Sequence, residues 1–133
     1  MDIRKAQNAV RFEGLDSQNV RDMIADRFYP SELAKVNDPT YPCATFQIMT
    51  GQPVGRAKET LRGSMKVWAW STAGYDEASE VLSLLEDKLA NARISNDEAF
   101  VVLTIMLTPV QLYDEPAKAY GYVMQYSIYA VER

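Results

Sequence analysis

A chain of 133 residues, 47% hydrophobic and 24% charged, is sized for one folded domain, because two halves would each be too small to bury an adequate core. It has no histidine and one cysteine, which removes the commonest general base, the Ser-His-Asp arrangement, imidazole metal ligands and any internal disulfide. The net charge of −4, without a dense basic run, argues against independent nucleic-acid binding, and no stretch approaches the roughly 20 apolar residues of a membrane-spanning helix.

The N-terminal run Met1-Asp2-Ile3-Arg4-Lys5-Ala6 lacks the apolar core of a signal peptide, so cytoplasmic synthesis is expected. Ile3, Ala6 and Val10 recur at helical spacing, with Gly14 placed as a C-terminal stop. Asp16 or Ser17 then caps a second short helix carrying Val20, Met23 and Ile24, ended near Arg27 by Phe28-Tyr29-Pro30. Pro30, Pro39 and Pro42 with Asn37-Asp38 mark residues 30–42 as a surface loop. Cys43 to Thr50 reads as a strand with Ala44, Phe46 and Ile48 on one face, and Cys43 as a small core residue of it.

A connection of about a dozen residues follows, and Gly63 to Thr72 forms a second strand, alternating Met65, Val67 and Ala69 with Lys66, Trp68 and Trp70. The main helix is expected over about 75–92, where Ala78, Val81, Leu82, Leu85 and Leu89 form one apolar stripe. Asp76, Glu77, Glu80, Glu86 and Asp87 make much of its remaining surface acidic, and the first two suit the positive end of the helix dipole. The β-branched run Ala99 to Leu107 reads as a central strand buried on both faces. Asp114-Glu115-Pro116 gives a turn, and a last strand spans about Ala119 to Val131. Together these elements predict an α+β fold in a single domain over 1–133. Its sheet is mainly antiparallel, of about four or more strands, with the main helix and the N-terminal helices packed on one face.

Charge is unevenly placed: residues 1–66 carry +2 and residues 67–133 carry −6. Arg56, Lys58, Arg62 and Lys66 against Glu59 make a basic stretch, readable either as a solvated tip or as an arm that meets the acidic helix face around Glu80 and Asp87 of an adjacent copy. Trp68 and Trp70 share a face with Lys66; they are read as core beneath the main helix or as interface anchors. The pairs Asp97-Glu98 and Asp114-Glu115 lie in predicted turns with no second constellation beside them. Three glycines, Gly51, Gly55 and Gly63, surround the basic stretch without forming a phosphate loop. No catalytic, metal or cofactor site emerges, so binding without chemistry is expected.

A family likeness is carried by an N-terminal helix followed by Ile24-Ala25-Asp26-Arg27-Phe28-Tyr29-Pro30, the proline-led strand Tyr41-Pro42-Cys43-Ala44-Thr45-Phe46-Gln47, the run Val67-Trp68-Ala69-Trp70-Ser71-Thr72-Ala73-Gly74-Tyr75-Asp76-Glu77-Ala78, and the placement of the closing strand from Ala119 to Val131. In their order and spacing over residues 3–131 they resemble the tail-completion, or tail-terminator, proteins of long-tailed bacteriophages. The resemblance implies a virion protein of the tail or neck that forms a ring, typically a hexamer. The ring caps the finished tail tube, stops its polymerisation and presents a surface to the head-side connector. DNA would pass through the channel without specific binding, and no membrane is involved. Competing readings are a head-completion or stopper protein, a small ferredoxin-like ligand-binding or enzymatic dimer with Trp68 and Trp70 lining its cleft, and a bacterial interaction module of toxin-antitoxin type.

Overall fold

A computed structural model of the chain describes residues 1–50 and 60–133, Thr50 by its backbone alone. Helix α1 (Ile3–Leu15) starts where the Asp2 carboxylate accepts the Arg4 amide at 3.0 Å, and it buries Ala6, Ala9 and Val10 along one stripe. Gly14 does not stop it. The residue is helical and buried, and a β-carbon there would sit 2.7 Å from the Phe28 ring, so glycine serves a close approach between helix and strand. Helix α2 (Gln18–Ile24) is capped by the Ser17 hydroxyl and ends at Ala25, whose φ of 53° turns the chain.

Strand β1 (Phe28–Tyr29) occupies what the sequence marks only as a helix-breaking turn, and a 3₁₀ turn (Leu33–Lys35) interrupts the proline-rich loop. Then follow β2 (Cys43–Thr50), β3 (Thr60–Ser71), α3 (Tyr75–Leu89), β4 (Arg93–Ser95), β5 (Ala99–Asp114) and β6 (Ala119–Glu132). One six-stranded sheet has the order β1-β2-β3-β6-β5-β4, parallel only between β1 and β2 and antiparallel elsewhere. The expected α+β architecture is therefore present, with two short border strands in addition.

All three helices pack on one face. Ala78, Val81, Leu82, Leu85 and Leu89 of α3 meet Phe46 of β2, Met65, Val67 and Ala69 of β3, and Met124, Tyr126 and Ile128 of β6 in the main core. Two arginines pin the irregular chain between α2 and β2. Arg11 Nε donates to the Phe28 carbonyl at 2.9 Å, and Arg27 Nε to the Pro42 carbonyl at 3.0 Å. Lys5 pairs with Glu132, and Lys88 lies 3.4 Å from Asp16, tying α1 to the end of β6 and to α3.

The run from Ala99 is not a central strand. β5 lies next to the border, and its only outer neighbour among the described residues, β4, pairs with just Phe100–Val102. Alternation there buries Ala99, Val101 and Leu103 but leaves Thr104 exposed. The strand also continues seven residues past Leu107, and this half exposes Met106, Leu107, Val110 and Tyr113. β-Branched composition reports strand propensity and cannot distinguish a strand covered on both faces from one whose edge is bare.

Candidate interaction surface

The strand-to-helix joint after β3 explains the local sequence Trp70-Ser71-Thr72-Ala73-Gly74. Ser71 is buried; its hydroxyl donates to Glu77 Oε1 at 2.8 Å in the first turn of α3 and accepts the Ala73 amide at 3.0 Å. Gly74, at the N-cap of α3, has φ 149° and ψ 177°, a conformation that essentially only glycine adopts without strain. The joint fixes where α3 enters and hence which face of β3 it covers.

That face carries Met65, Val67 and Ala69, so Trp68 and Trp70 point the other way. The expectation of core beneath the main helix fails for both, because strand alternation puts them on the face that no helix covers. Trp70 is nonetheless buried, in a second small core with Leu33, Cys43 and Ala119, against which Tyr29, Tyr41, Leu112 and the half-buried Trp68 pack. The proline-rich segment and the start of β6 thus cover one end of the bare face. Trp70 Nε1 donates to Thr45 Oγ1 at 3.1 Å, which satisfies two buried polar groups at once. Burial pushes the Cys43 thiol up to about 11, against a weaker opposing pull from the Arg27 charge, as suits an inert packing residue.

Beyond this covered end no described helix lies over this face of the sheet. A depression of about 350 Å³ lies beside Trp68, Trp70, Thr45, Gln47 and Leu112. Among the described residues no buried side-chain donor or acceptor lacks a partner, so the depression has no unpaired buried polar group to offer a ligand. Further along, Lys66 stands opposite Gln47 and Gln125, and Arg62 lies with its guanidinium carbon 5.3 Å from the Tyr129 ring centroid. Among the described residues no cluster of three or more potential metal ligands occurs.

The residues singled out from sequence are not gathered into one place within the chain. Arg62 is exposed on the bare face; Glu80 and Asp87 are exposed on α3, on the opposite side of the sheet; Arg56 and Lys58 lie outside the described residues. Of the turn carboxylates, Asp114 does local work. Asp114 Oδ1 accepts the Ala117 amide at 2.9 Å, and the loop before β5 is held by Asn96, which accepts the amides of Glu98 and Ala99. What the sequence reading missed is the outer half of β5, where Met106, Leu107 and Val110 are 52%, 54% and 55% exposed. A signal was present: no charge interrupts the fifteen residues Ala99–Tyr113, unusual for a strand facing water.

No family model matches the sequence, and neither does any curated protein. Solved structures do match in fold. A chain from the virion of a native gene transfer agent particle superposes with a TM-score of 0.64 at 16% identity, over 96% of this chain and 94% of that one. The gp17 protein of bacteriophage SPP1 superposes with a TM-score of 0.57 at 15% identity, over 94% of this chain and 88% of its own. The chain therefore shares its fold with a chain of a gene transfer agent virion and with a bacteriophage protein, and in both comparisons the likeness runs almost end to end.

Proposed function

We propose that this chain is a virion structural protein of the tail-terminator class. Six copies form a ring at the head-proximal end of a phage-type tail, end the growth of the tail tube and join it to the head-side connector. The observation that carries the reading is the fold likeness to a chain of an assembled virion particle over 96% of the length. It is supported by the strand-to-helix joint at Ser71 and Gly74, which accounts for the motif shared with that family. A role in contact rather than reaction is supported by an exposed apolar border and by a sheet face that no described helix covers. DNA passes through the channel without sequence-specific contacts, as the net charge of −4 favours.

Light scattering of the purified protein over a range of concentrations, with negative-stain images alone and after adding tail tubes, tests the reading. A mass near six copies, or rings seated on tube ends, is the expected result. A stable dimer that leaves tube ends bare would overturn it.

A further inference from the structure

Both borders of the sheet are partly bare, and the bare parts lie level with one another. On one side β1 covers β2 only at Ala44 and Thr45, which leaves the outer edge of Phe46–Thr50 without a strand among the described residues. On the other side β4 stops at Val102, and the Leu103 amide goes to the Ala92 carbonyl at 2.9 Å; from Thr104 onward no described strand pairs with the outer edge of β5. The registers align these edges. Ile48 stands across from Met65, Met65 from Tyr126, and Tyr126 from Ile105; the adjacent row runs Met49, Ser64, Ser127, Thr104.

Exposed edges are ordinarily blunted by charge, but Cys43–Thr50 and Ala99–Tyr113 contain none. β5 instead presents Met106 and Leu107 to solvent, next to register slips between Ile105 and Leu107 and between Leu107 and Val110. Two neutral edges match each other in charge, since bringing them together desolvates no ion.

Direction also agrees. Three antiparallel pairings separate β2 from β5, so the two strands run oppositely. Copies related by rotation about an axis roughly along the strands would set β5 of one against β2 of the next as an antiparallel pair, the prevailing pairing within the chain. A twofold pairing of β5 with itself would stop at two copies and leave β2 bare.

We propose that Thr104–Leu107 of β5 pairs with Phe46–Met49 of β2 in a second copy of this chain, so that one sheet continues from subunit to subunit. This rests on the ring reading above and names the joint that closes it.

The test uses two single variants at exposed positions, Leu107→Lys on β5 and Met49→Lys on β2, each checked for native circular dichroism; Thr104→Lys, also exposed, replaces Leu107→Lys should that variant not fold. Each variant alone is expected to associate at least tenfold more weakly than the unmodified protein, in light scattering and in ring counts on tail tubes. An equimolar mixture is expected to form a heterodimer, because each partner keeps one intact edge. Unmodified protein that forms rings while both variants do so equally well would overturn the edge joint and leave the ring standing. Self-association that survives Met49→Lys but not Leu107→Lys would replace the joint with twofold β5 pairing. Unmodified protein that forms no ring, free or on tubes, would remove the ring reading and the joint together.

Discussion

The close approach of Gly121 to the Trp70 ring makes Gly121→Ala a decisive substitution. Gly121 pairs with Trp70 across β6 and β3, and a β-carbon there would lie 2.7 Å from both Cε3 and Cζ3 of the indole and 3.1 Å from the Ala69 carbonyl oxygen. Carbon atoms pack at about 3.5–4.0 Å, so the indole must withdraw by roughly an ångström. Its Nε1 bond to Thr45 is already 3.1 Å and does not survive such a shift. Overpacking costs about 1–3 kcal/mol and the lost buried hydrogen bond about 1 kcal/mol. Alanine recovers about 0.5–1 kcal/mol of backbone entropy, leaving a net loss of about 1–3.5 kcal/mol. With an unfolding entropy of about 2.1 cal/mol/K per residue, the 133-residue chain should lose roughly 4–13 °C in Tm. Thermal unfolding followed by circular dichroism reads this directly. In a Trp70→Leu background the same glycine substitution should cost less than about 0.5 kcal/mol, since the ring it strikes is gone. Equal costs in the two backgrounds would refute the reasoning.

Gly74→Ala should destabilise by about 1–3 kcal/mol through backbone strain alone, because no atom lies within 4 Å of the added carbon; urea denaturation measures it, and no change would mean that the chain reaches α3 in another conformation. Cys43 should resist alkylation at pH 8 in the native protein and react on unfolding, since a thiol near 11 is only about one part in a thousand thiolate there; quantitative labelling without denaturant would contradict its burial. The hydrogen bond from Lys5 holds the Glu132 carboxyl below its usual 4.5, so the pair's contribution is present above that pH and lost as the solution is acidified through the lower folded value. Lys5 is raised above 10.5 by the same bond, so the contribution also falls away as alkali passes the raised value. The urea midpoint of Glu132→Gln should accordingly lie below that of the unmodified protein at pH 7, with the gap narrowing as the solution is acidified below 4.5; a constant gap would assign the effect to something other than this ionisation.

Where periodicity is produced by a single covered face, the sequence was readable. The stripe Ala78–Leu89 and the alternation Met65-Val67-Ala69 record contact between α3 and β3, and both are found in the main core. Reading failed where two different surroundings leave the same pattern. Trp68 and Trp70 alternate as residues buried beneath a helix would, yet Trp70 is buried by the proline-rich segment instead, and no local pattern says which layer covers a face. Phe28–Tyr29 and Arg93–Ser95 became strands only because β2 and β5 lay beside them, too short for any period to register. Gly14 looked like a helix stop because its reason, the Phe28 ring, is fourteen residues away in sequence.

The two faces of the sheet also constrain how copies can meet. The exposed Arg62 lies on the bare face, while Glu80 and Asp87 lie on α3, across the sheet. If one sheet continues through neighbouring subunits, bare face joins bare face, and Arg62 of one copy stays on the far side from the acidic helix of the next. A contact between Arg62 and Glu80 or Asp87 of an adjacent copy therefore requires a different joint, in which the sheets are stacked or offset. Arg62→Glu separates the two. An edge joint predicts unchanged self-association, because Arg62 lies on the face of the inner strand β3 and on neither of the edges that would pair. A charge joint predicts weakening, by up to about fivefold for an exposed pair worth at most about 1 kcal/mol, with the difference shrinking in high salt. Because the edge variants replace only Met49 and Leu107 and leave Arg62, Glu80 and Asp87 in place, the two sets of measurements probe separate surfaces.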